Sequence, residues 1–218
     1  VAGFFDSMRF MLQVEVTDVT AELAVVWEPC TASAPGTDGL ARLERQGPDS
    51  LGGRELFLPR ERLEEYAEQA GPPAGIWAYE ALRVAAHVPR HGKETDHKTI
   101  PNEVGWLDTA VHLEKGCYRG QETVARIHNL GRPPRRLTFL HLDGSVDTLP
   151  PHDAPVELAG RQVGFVTSSA RHAELGPIAL ALLKRNTPVD ATLLAGGVAA
   201  TQEVVVDPDV GVHFRPPR

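Results

Sequence analysis

Apolar and β-branched residues in the first third of the chain cluster in short runs, which are followed by one charged helix. Phe10–Val16 and Ala21–Trp27 are two such runs, and a short polar turn separates them. This pattern predicts two neighbouring strands, most simply a β-hairpin. Arg54–Pro59 is a further short strand, and Arg60–Gln69 is a charged helix. The order of these elements predicts a small α+β segment over residues 1–72.

The middle of the chain changes to the spacing of helices. Ala74–Ala86 carries apolar residues at helical intervals, and these predict a buried face. The members of that face are Ile76, Tyr79, Leu82 and Ala86. A polar loop with several prolines follows, and then a short helix around Leu107. Glu122–Leu130 is predicted as another helix, which Gly131 closes.

Strands return after Pro133 and Pro134, which form the best candidate for a linker. Six short apolar runs follow without a helix between them: Leu137–Leu142, Val156–Leu158, Gln162–Thr167, Ile178–Leu183, Ala191–Ala195 and Val198–Val206. Gly196 and Gly197 separate the last two runs and are typical of a hairpin turn. Strands at this spacing imply an antiparallel barrel or sandwich, and we expect a barrel over residues 135–218.

Composition places the chain among ordinary globular proteins. Apolar residues make up 42% and charged residues 23% of the 218 positions. The net charge of -7 argues against a general nucleic-acid coat, and no apolar run approaches the roughly 18 residues of a membrane span. Cys30 and Cys117 are too few for a disulfide framework, and we expect two free thiols in a reducing cytosol. Together with the lack of a signal-peptide pattern at Val1, this predicts a cytoplasmic protein.

One segment departs from the acidic character of the chain. Residues 115–136 contain six basic residues and one acid, a net charge of +5, so the other residues sum to -12. The basic residues are Lys115, Arg119, Arg126, Arg132, Arg135 and Arg136. Such a basic island can form an anion site rather than a diffuse surface for nucleic acid. The alternative is a solvated helix face whose arginines flank a linker.

Cys117 lies inside this basic island. Lys115 and Arg119 are each two residues from the sulfur, and a predicted helix begins shortly afterwards. Both the cations and the helix start favour thiolate over thiol, as in reactive cysteines. Gly116 and Gly120 allow the backbone to approach a ligand and to turn N–H groups toward an anion. The alternative is a small buried hydrophobic residue, the commonest environment of a free cysteine. Cys30 has no comparable surroundings.

The string Lys-Gly-Cys-Tyr-Arg-Gly-Gln-Glu-Thr-Val-Ala-Arg over residues 115–126 resembles the signature of the YgfZ family. Those proteins bind folate and maintain iron–sulfur clusters. The chain is also similar to the T-protein, the aminomethyltransferase of the glycine cleavage system. Further matches lie at residues 79–84, 98–103 and 164–168. The resemblance is clear over roughly residues 74–185.

The resemblance implies a ring of three modules: a folate-binding domain interrupted by a ferredoxin-like insert, and a C-terminal antiparallel barrel. Residues 1–72 then correspond to the ferredoxin-like segment, 73–132 to the second half of the folate-binding domain and 135–218 to the barrel. The first half of the folate-binding domain would precede Val1. In that case Ile76 and Leu82 would be more exposed than their spacing indicates.

The resemblance also implies a set of site residues. Cys117 is the candidate for chemistry, as the reactive thiol. The candidates for folate binding are Lys115, Gly116, Tyr118, Gly120, Gln121, Glu122, Arg126, Arg83 and Glu103. One position departs from the transferases, which carry a glutamate that helps hold the pterin two residues after the Leu-Arg pair. Here that position is Ala85, so a bidentate acceptor for the pterin N–H groups is absent.

Three functions follow as hypotheses. The first is an accessory protein that binds tetrahydrofolate and serves iron–sulfur enzymes, with Cys117 as a thiolate that holds a cluster transiently, reacts with an oxidised species or accepts a one-carbon unit. The second is a folate-dependent aminomethyltransferase or methyltransferase. The third is an RNA-interaction module linked to tRNA modification, but the acidic remainder would repel a phosphate backbone over any wide contact. Whether the chain is an enzyme stays open among these.

Two other groups of residues have ligand-like chemistry. His87 and His91 have metal-like spacing, but Pro89 breaks the helix that would align them, so no metal site is expected. The three tryptophans could stack on a pterin ring, and Trp77 is the best placed of them. Burial in a core is nevertheless the expected environment for each tryptophan.

Overall fold

The computed structural model describes residues 2–9, 13–30 and 39–209. These residues divide into two compact units, Val1–Ala74 and Gly75–Arg218. Each unit has its own sheet and its own hydrophobic core.

Where the structure describes it, the first unit has a three-stranded antiparallel sheet and two α-helices. The helices are α1, Ala2–Met8, and α2, Leu63–Ala70; the strands are β1, Leu23–Pro29, β2, Leu43–Arg45, and β3, Gly53–Pro59. The strand order is β1-β3-β2, with β3 in the centre. Leu56 and Leu58 of β3 are buried against Leu40 and against Tyr66 of α2. The unit is therefore α+β.

The predicted hairpin between Phe10–Val16 and Ala21–Trp27 is wrong in its first strand. Residues 13–16 have no regular structure, and residues 10–12 lie outside the described ranges. Strand β1 pairs instead with β3, from Leu23 opposite Pro59 to Pro29 opposite Gly53. Val14 and Val16 are exposed, so these alternating apolar residues do not pack against a core. Strand β2 was not predicted because it is only three residues long and fully exposed.

The described part of the second unit, residues 75–209, forms three α-helices and six strands. The helices are α3, Ile76–Ala85, α4, Leu107–Ala110, and α5, Gln121–Leu130. The strands are β4, Arg135–Leu142, β5, Pro155–Leu158, β6, Arg161–His172, β7, Gly176–Lys184, β8, Leu193–Ala195, and β9, Val198–Val204. A short 3-10 helix, Pro101–Glu103, precedes α4. Each of the six predicted strands is present, with shifts at the ends.

Strands β4 to β9 close into an antiparallel barrel in the order β4-β7-β6-β5-β8-β9, which confirms the predicted architecture. Because side chains alternate along a strand, one set faces the inside. Leu140 and Leu142 of β4 and Ala200 of β9 belong to that interior cluster. Gly196 and Gly197, with φ of 56° and 86°, form the tight turn between β8 and β9. Two positive φ angles are what a two-residue hairpin turn of this twist requires.

Helix α3 covers part of the outside of the barrel. Ala81 and Val84 pack against outward-facing residues of β4 and β7, among them Leu137 and Leu180. The buried face predicted from apolar spacing is therefore wrong, because α3 buries Ala81, Arg83 and Val84 instead.

The apolar residues on the other side of α3 are in contact with solvent. Ile76 is 62% exposed and Leu82 is 41% exposed, which confirms the exposure expected from the family resemblance. Trp77 is 86% exposed, so the expectation of a core tryptophan is wrong at this position.

Across the described ranges, we find no helix with both the length and the apolar character needed to cross a membrane.

The backbones of strands β6 and β7 approach closely at Gly164. A Cβ at this position would collide with the carbonyl oxygen of Leu182 and with the backbone of Leu183. We expect Gly164→Ala to lower the free energy of unfolding by about 1–3 kcal/mol, because the strand backbone must shift. Gly116→Ala is the matched control, since a Cβ there meets nothing within 4 Å. Its effect should stay within about 0.5 kcal/mol. Equal urea midpoints for the two variants would contradict this account of the strand contact.

Candidate functional site

The segment around Cys117 is an exposed loop that leads into helix α5. Gly120 caps the helix with φ of 84°, and its carbonyl accepts the first helical hydrogen bond from the Val124 N–H at 3.1 Å. The Tyr118 carbonyl accepts from the Gln121 N–H at 3.2 Å. Cys117 is a free, exposed thiol three residues before this cap. The alternative of a small buried hydrophobic residue is therefore wrong.

Lys115 and Tyr118 form a pair within this loop. The Lys115 Nζ lies 5.2 Å from the centroid of the Tyr118 ring, within the range of a cation–π contact. The ring is half-buried, whereas the lysine is exposed. The pair is a local contact on one side of the loop that carries the Cys117 thiol.

The remaining candidates of this segment lie on the surface of α5 and of the loop before it. Val124 is the buried residue of α5. Gln121 is half-buried, and the exposed candidates are Gly116, Gly120, Glu122 and Arg126. Helix α5 also lies beside the 3-10 helix Pro101–Glu103. The candidate side chains at residues 115–126 therefore lie along one continuous segment that presents most of its polar groups to solvent.

Arg83 is held in a buried cluster instead. Its side chain is only 2% exposed, and its guanidinium contacts two carboxylates. Nη2 lies 2.8 Å from Glu80 Oε2, and Nη1 lies 3.0 Å from Glu94 Oε2. Nη2 also donates to Ser168 Oγ at 2.7 Å, and Nη1 to the Val88 carbonyl at 2.8 Å. The carboxylates of Glu80 and Glu94 therefore neutralise the Arg83 guanidinium within the chain.

Glu94 is the fully buried centre of that cluster. Besides Arg83, it accepts hydrogen bonds from the Arg90 N–H at 2.8 Å, from Thr167 Oγ1 at 2.9 Å and from Ser168 Oγ at 2.6 Å. Strand β6 has a bulge at this point of its pairing with β7. A bulge redirects side chains, which explains how two consecutive residues of one strand reach the same carboxylate. No sequence pattern singles out Glu94, although residues 164–168, which include two of its partners, are part of the family resemblance.

Glu103 lies in a second buried cluster. Its carboxylate is fully buried and accepts two hydrogen bonds from Arg135, at 3.0 and 2.9 Å. Arg135 also contacts Asp96 at 2.8 Å. Hydrogen bonds from Arg135, and then from Thr99 and the Lys98 N–H, hold the pKa of Asp96 well below its ordinary value of 3.8. Hydrogen bonds to Asp96 and Glu103 in turn raise the pKa of Arg135.

These clusters change the picture of the basic island at residues 115–136. Arg135 is neutralised by two carboxylates, and Arg136 is fully buried in the barrel. The exposed cations of the island are Lys115, Arg119, Arg126 and Arg132. None of these four makes an ion pair with a residue in the described ranges. The charge available to an anion is therefore concentrated in the Cys117 loop and on α5.

His87 takes part in packing. Its ring lies 4.6 Å from the ring of Phe139, measured between centroids, and burial lowers the pKa of this histidine. His87 also has a positive φ of 58° just after the end of α3, where the chain reverses.

In the part of the chain that the structure describes, no three histidine, cysteine or carboxylate side chains form a group that could hold a metal ion.

Comparison with known proteins gives several relatives named aminomethyltransferase. The one from Moorella thermoacetica is 35% identical over 116 residues, 53% of this chain and 31% of the relative. One from a Synechococcus strain is 33% identical over 162 residues, 71% of this chain and 42% of the relative. One from Rubrobacter xylanophilus is 33% identical over 143 residues, 63% of this chain and 37% of the relative. No family model matches the chain.

The similarity supports an aminomethyltransferase-type, T-protein-like fold for the matched part of the chain. The chain spans between about a third and less than half of the length of these curated relatives. Because all three relatives carry the name of the transferase, the narrower resemblance to the YgfZ family stays a prediction. The roles assigned to the candidate site residues stay predictions as well.

The Arg135 cluster makes a direct prediction about stability. Arg135→Met leaves the fully buried carboxylate of Glu103 without its partner. Breaking a buried pair in this way should lower the free energy of unfolding by about 3–5 kcal/mol. Arg171→Met is the matched control, because its partner Asp147 is 97% exposed, and it should cost about 1 kcal/mol or less. Chemical denaturation of both variants measures the difference, and a similar loss in the two would contradict the assignment.

Asp96 makes a prediction about acid stability. Its pKa is lower in the folded chain than in the unfolded chain, so the unfolded chain binds the proton first. The stabilisation is complete above the unfolded pKa near 4 and is lost as pH falls through the folded value. We expect Asp96→Asn to be less stable than wild type at pH 7, with a shallower loss of stability between pH 5 and 2. Parallel slopes for the two proteins over this acid range would refute this linkage.

Proposed function

We propose that this chain belongs to a folate-binding accessory protein of iron–sulfur cluster assembly or repair, with Cys117 as its reactive thiol. The observation that carries the proposal is the exposure of Cys117 in a glycine-flanked loop that matches the YgfZ signature. Residues 1–72 would be the ferredoxin-like segment, 73–132 the second half of the folate-binding domain and 135–218 the barrel. Iron–sulfur client or assembly proteins would be its partners.

The thiol is the chemical basis of the proposal. Thiolate is the form of cysteine that ligates iron and attacks electrophiles. A ten-residue helix begins four positions after Cys117, and N–H groups at such a start favour nearby negative charge. In this role Cys117 holds a cluster transiently or reacts at the edge of the folate site. Its exposure supports contact with a second protein or with a bound folate.

Folate binding would use the exposed cations near this loop. The glutamate tail of tetrahydrofolate carries carboxylates, for which Lys115 and Arg126 are available. Arg83 and Glu103 have a different part in this proposal, because both are bonded within the chain. They would act as positioning residues that fix the segments around the ligand rather than as contacts to folate.

A folate-dependent aminomethyltransferase is the second candidate. It is favoured by the names of the three relatives. Such a reaction needs a carboxylate near the folate N5 to act on the departing amine. Ala85 stands where the transferase pattern has a glutamate, so the described residues offer no carboxylate at that position. This departure is why we place the accessory function first.

The test uses Cys117→Ser with Cys30→Ser as the matched control, since both thiols are free and exposed. In the full-length protein we expect calorimetry to detect tetrahydrofolate binding that neither substitution changes by more than about threefold, because the thiols lie outside the contacts to the tail. Cys117 should react with iodoacetamide faster than Cys30 at neutral pH, because of the helix start and the neighbouring cations.

Cell-based assays then separate the two candidates. Loss of iron–sulfur enzyme activity with Cys117→Ser, but not with Cys30→Ser, supports the accessory function. Full support of those enzymes by Cys117→Ser would make the thiol dispensable and overturn that part of the proposal. Release of ammonia from an aminomethylated carrier by the purified protein and tetrahydrofolate would instead favour the transferase.

A further inference from the structure

One end of the barrel holds a buried positive charge that makes no ion pair with a described residue. Even-numbered residues of β4 face the interior, as Leu140 and Leu142 do, and Arg136 belongs to the same set. The Arg136 side chain is 0% exposed. Within the described ranges, no carboxylate lies at ion-pair distance from its guanidinium.

The groups that contact this guanidinium are all neutral. Nη1 donates to Thr138 Oγ1, and Nη2 donates to the Thr187 carbonyl at 3.2 Å and to Gln202 Oε1 at 3.0 Å. A buried charge that is solvated only by neutral dipoles is costly unless an opposite charge joins it. Burial lowers the pKa of Arg136, and the negative charge of Asp207, which lies beyond ion-pair distance, raises it to a smaller extent. Arg135, the next residue, lies on the other face of β4 and has two carboxylates.

Two polar atoms of this cluster lack a partner among the described residues. They are Arg136 Nε and Thr187 Oγ1, and both are shielded from solvent. Nε carries one N–H, and the threonine hydroxyl carries one O–H, so both can donate. The two residues are neighbours, because Arg136 Nη2 contacts the Thr187 carbonyl. Two unused donors thus lie beside one positive charge that has no ion-pair partner among the described residues.

The loop that contacts the guanidinium is held by several hydrogen bonds. It joins β7 to β8 and contains Thr187, whose N–H bonds the Lys184 carbonyl at 3.0 Å. Gln202 of β9 donates to the carbonyls of Pro188 and Ala191 at 2.8 and 2.7 Å. Because Gln202 also accepts from Arg136, one amide connects the guanidinium to the loop. The donors are therefore held by defined contacts on several sides.

We propose that Arg136 and Thr187 form a binding site for a small monovalent anion at this end of the barrel. The anion accepts hydrogen bonds from Arg136 Nε and from the Thr187 hydroxyl, and it neutralises the guanidinium. Because the arginine is fully buried, the occupant must be a small ion, for which chloride and formate are suitable probes. The site is separate from the Cys117 loop and goes beyond the proposed function, since it concerns the stability of the barrel.

Chloride is the probe for the test. Melting of the wild-type protein is compared in sodium chloride and in sodium gluconate at equal ionic strength, because gluconate is too large for the site. We expect saturating chloride to raise the melting temperature by about 2–4 °C over gluconate. Broadening of the ³⁵Cl resonance by the protein, reversed by formate, should report the same binding.

Three variants identify the residues. Arg136→Met should abolish both the melting shift and the ³⁵Cl broadening, while Arg161→Met, which removes an exposed charge, should retain them. If Arg136→Met does not fold, Thr187→Val still tests the site, because it removes one donor at nearly constant volume. It should weaken chloride binding about tenfold. No chloride effect in the wild type, or an effect unchanged in Thr187→Val, would overturn the proposal.

Discussion

The second unit depends on a carboxylate that has no access to solvent. Glu94 lies in a polar loop, yet it receives hydrogen bonds from Arg83 on α3 and from Thr167 and Ser168 on β6. Separating Glu94 from Arg83 would leave a buried charge without its partner, which is costly. Helix α3, the loop that carries Glu94 and strand β6 are therefore held in fixed positions relative to one another. The bulge in β6 is part of this constraint, because regular alternation would turn one of the two hydroxyls away.

Strand β4 also holds other segments of the second unit through buried or partly buried charges. Its two leading arginines face opposite sides, since Arg135 binds Asp96 and Glu103 outside the barrel whereas Arg136 points inside. The segment from Asp96 to Glu103 is therefore attached to the barrel by ionic contacts, and helix α5 packs beside its last residues. The position of the Cys117 loop thus follows from buried charges several elements away.

Local patterns in the sequence were sufficient for most elements of the second unit. The six barrel strands have clear apolar runs with glycine or proline nearby, and Gly120 and Gly131 bracket α5, which is why the order of these elements is predictable. The buried face of α3 was not, because it contains Arg83, and a hydrophobic pattern cannot indicate a charge buried by a partner eleven residues away. For the same reason, a hydrophobic pattern cannot indicate that Glu94 is buried. In the first unit, the short exposed strand β2 had no pattern to detect.

The basic island illustrates why charge counted along a sequence overstates an anion site. Arg135 and Arg136 contribute two of its six positive charges, but one is neutralised by carboxylates and the other is enclosed in the barrel. The four that remain exposed are long side chains in high dielectric, where each attracts a ligand only weakly. Recognition of an anionic ligand near Cys117 would then depend on backbone N–H groups at the start of α5 as much as on these cations, because those groups do not have to be ordered on binding.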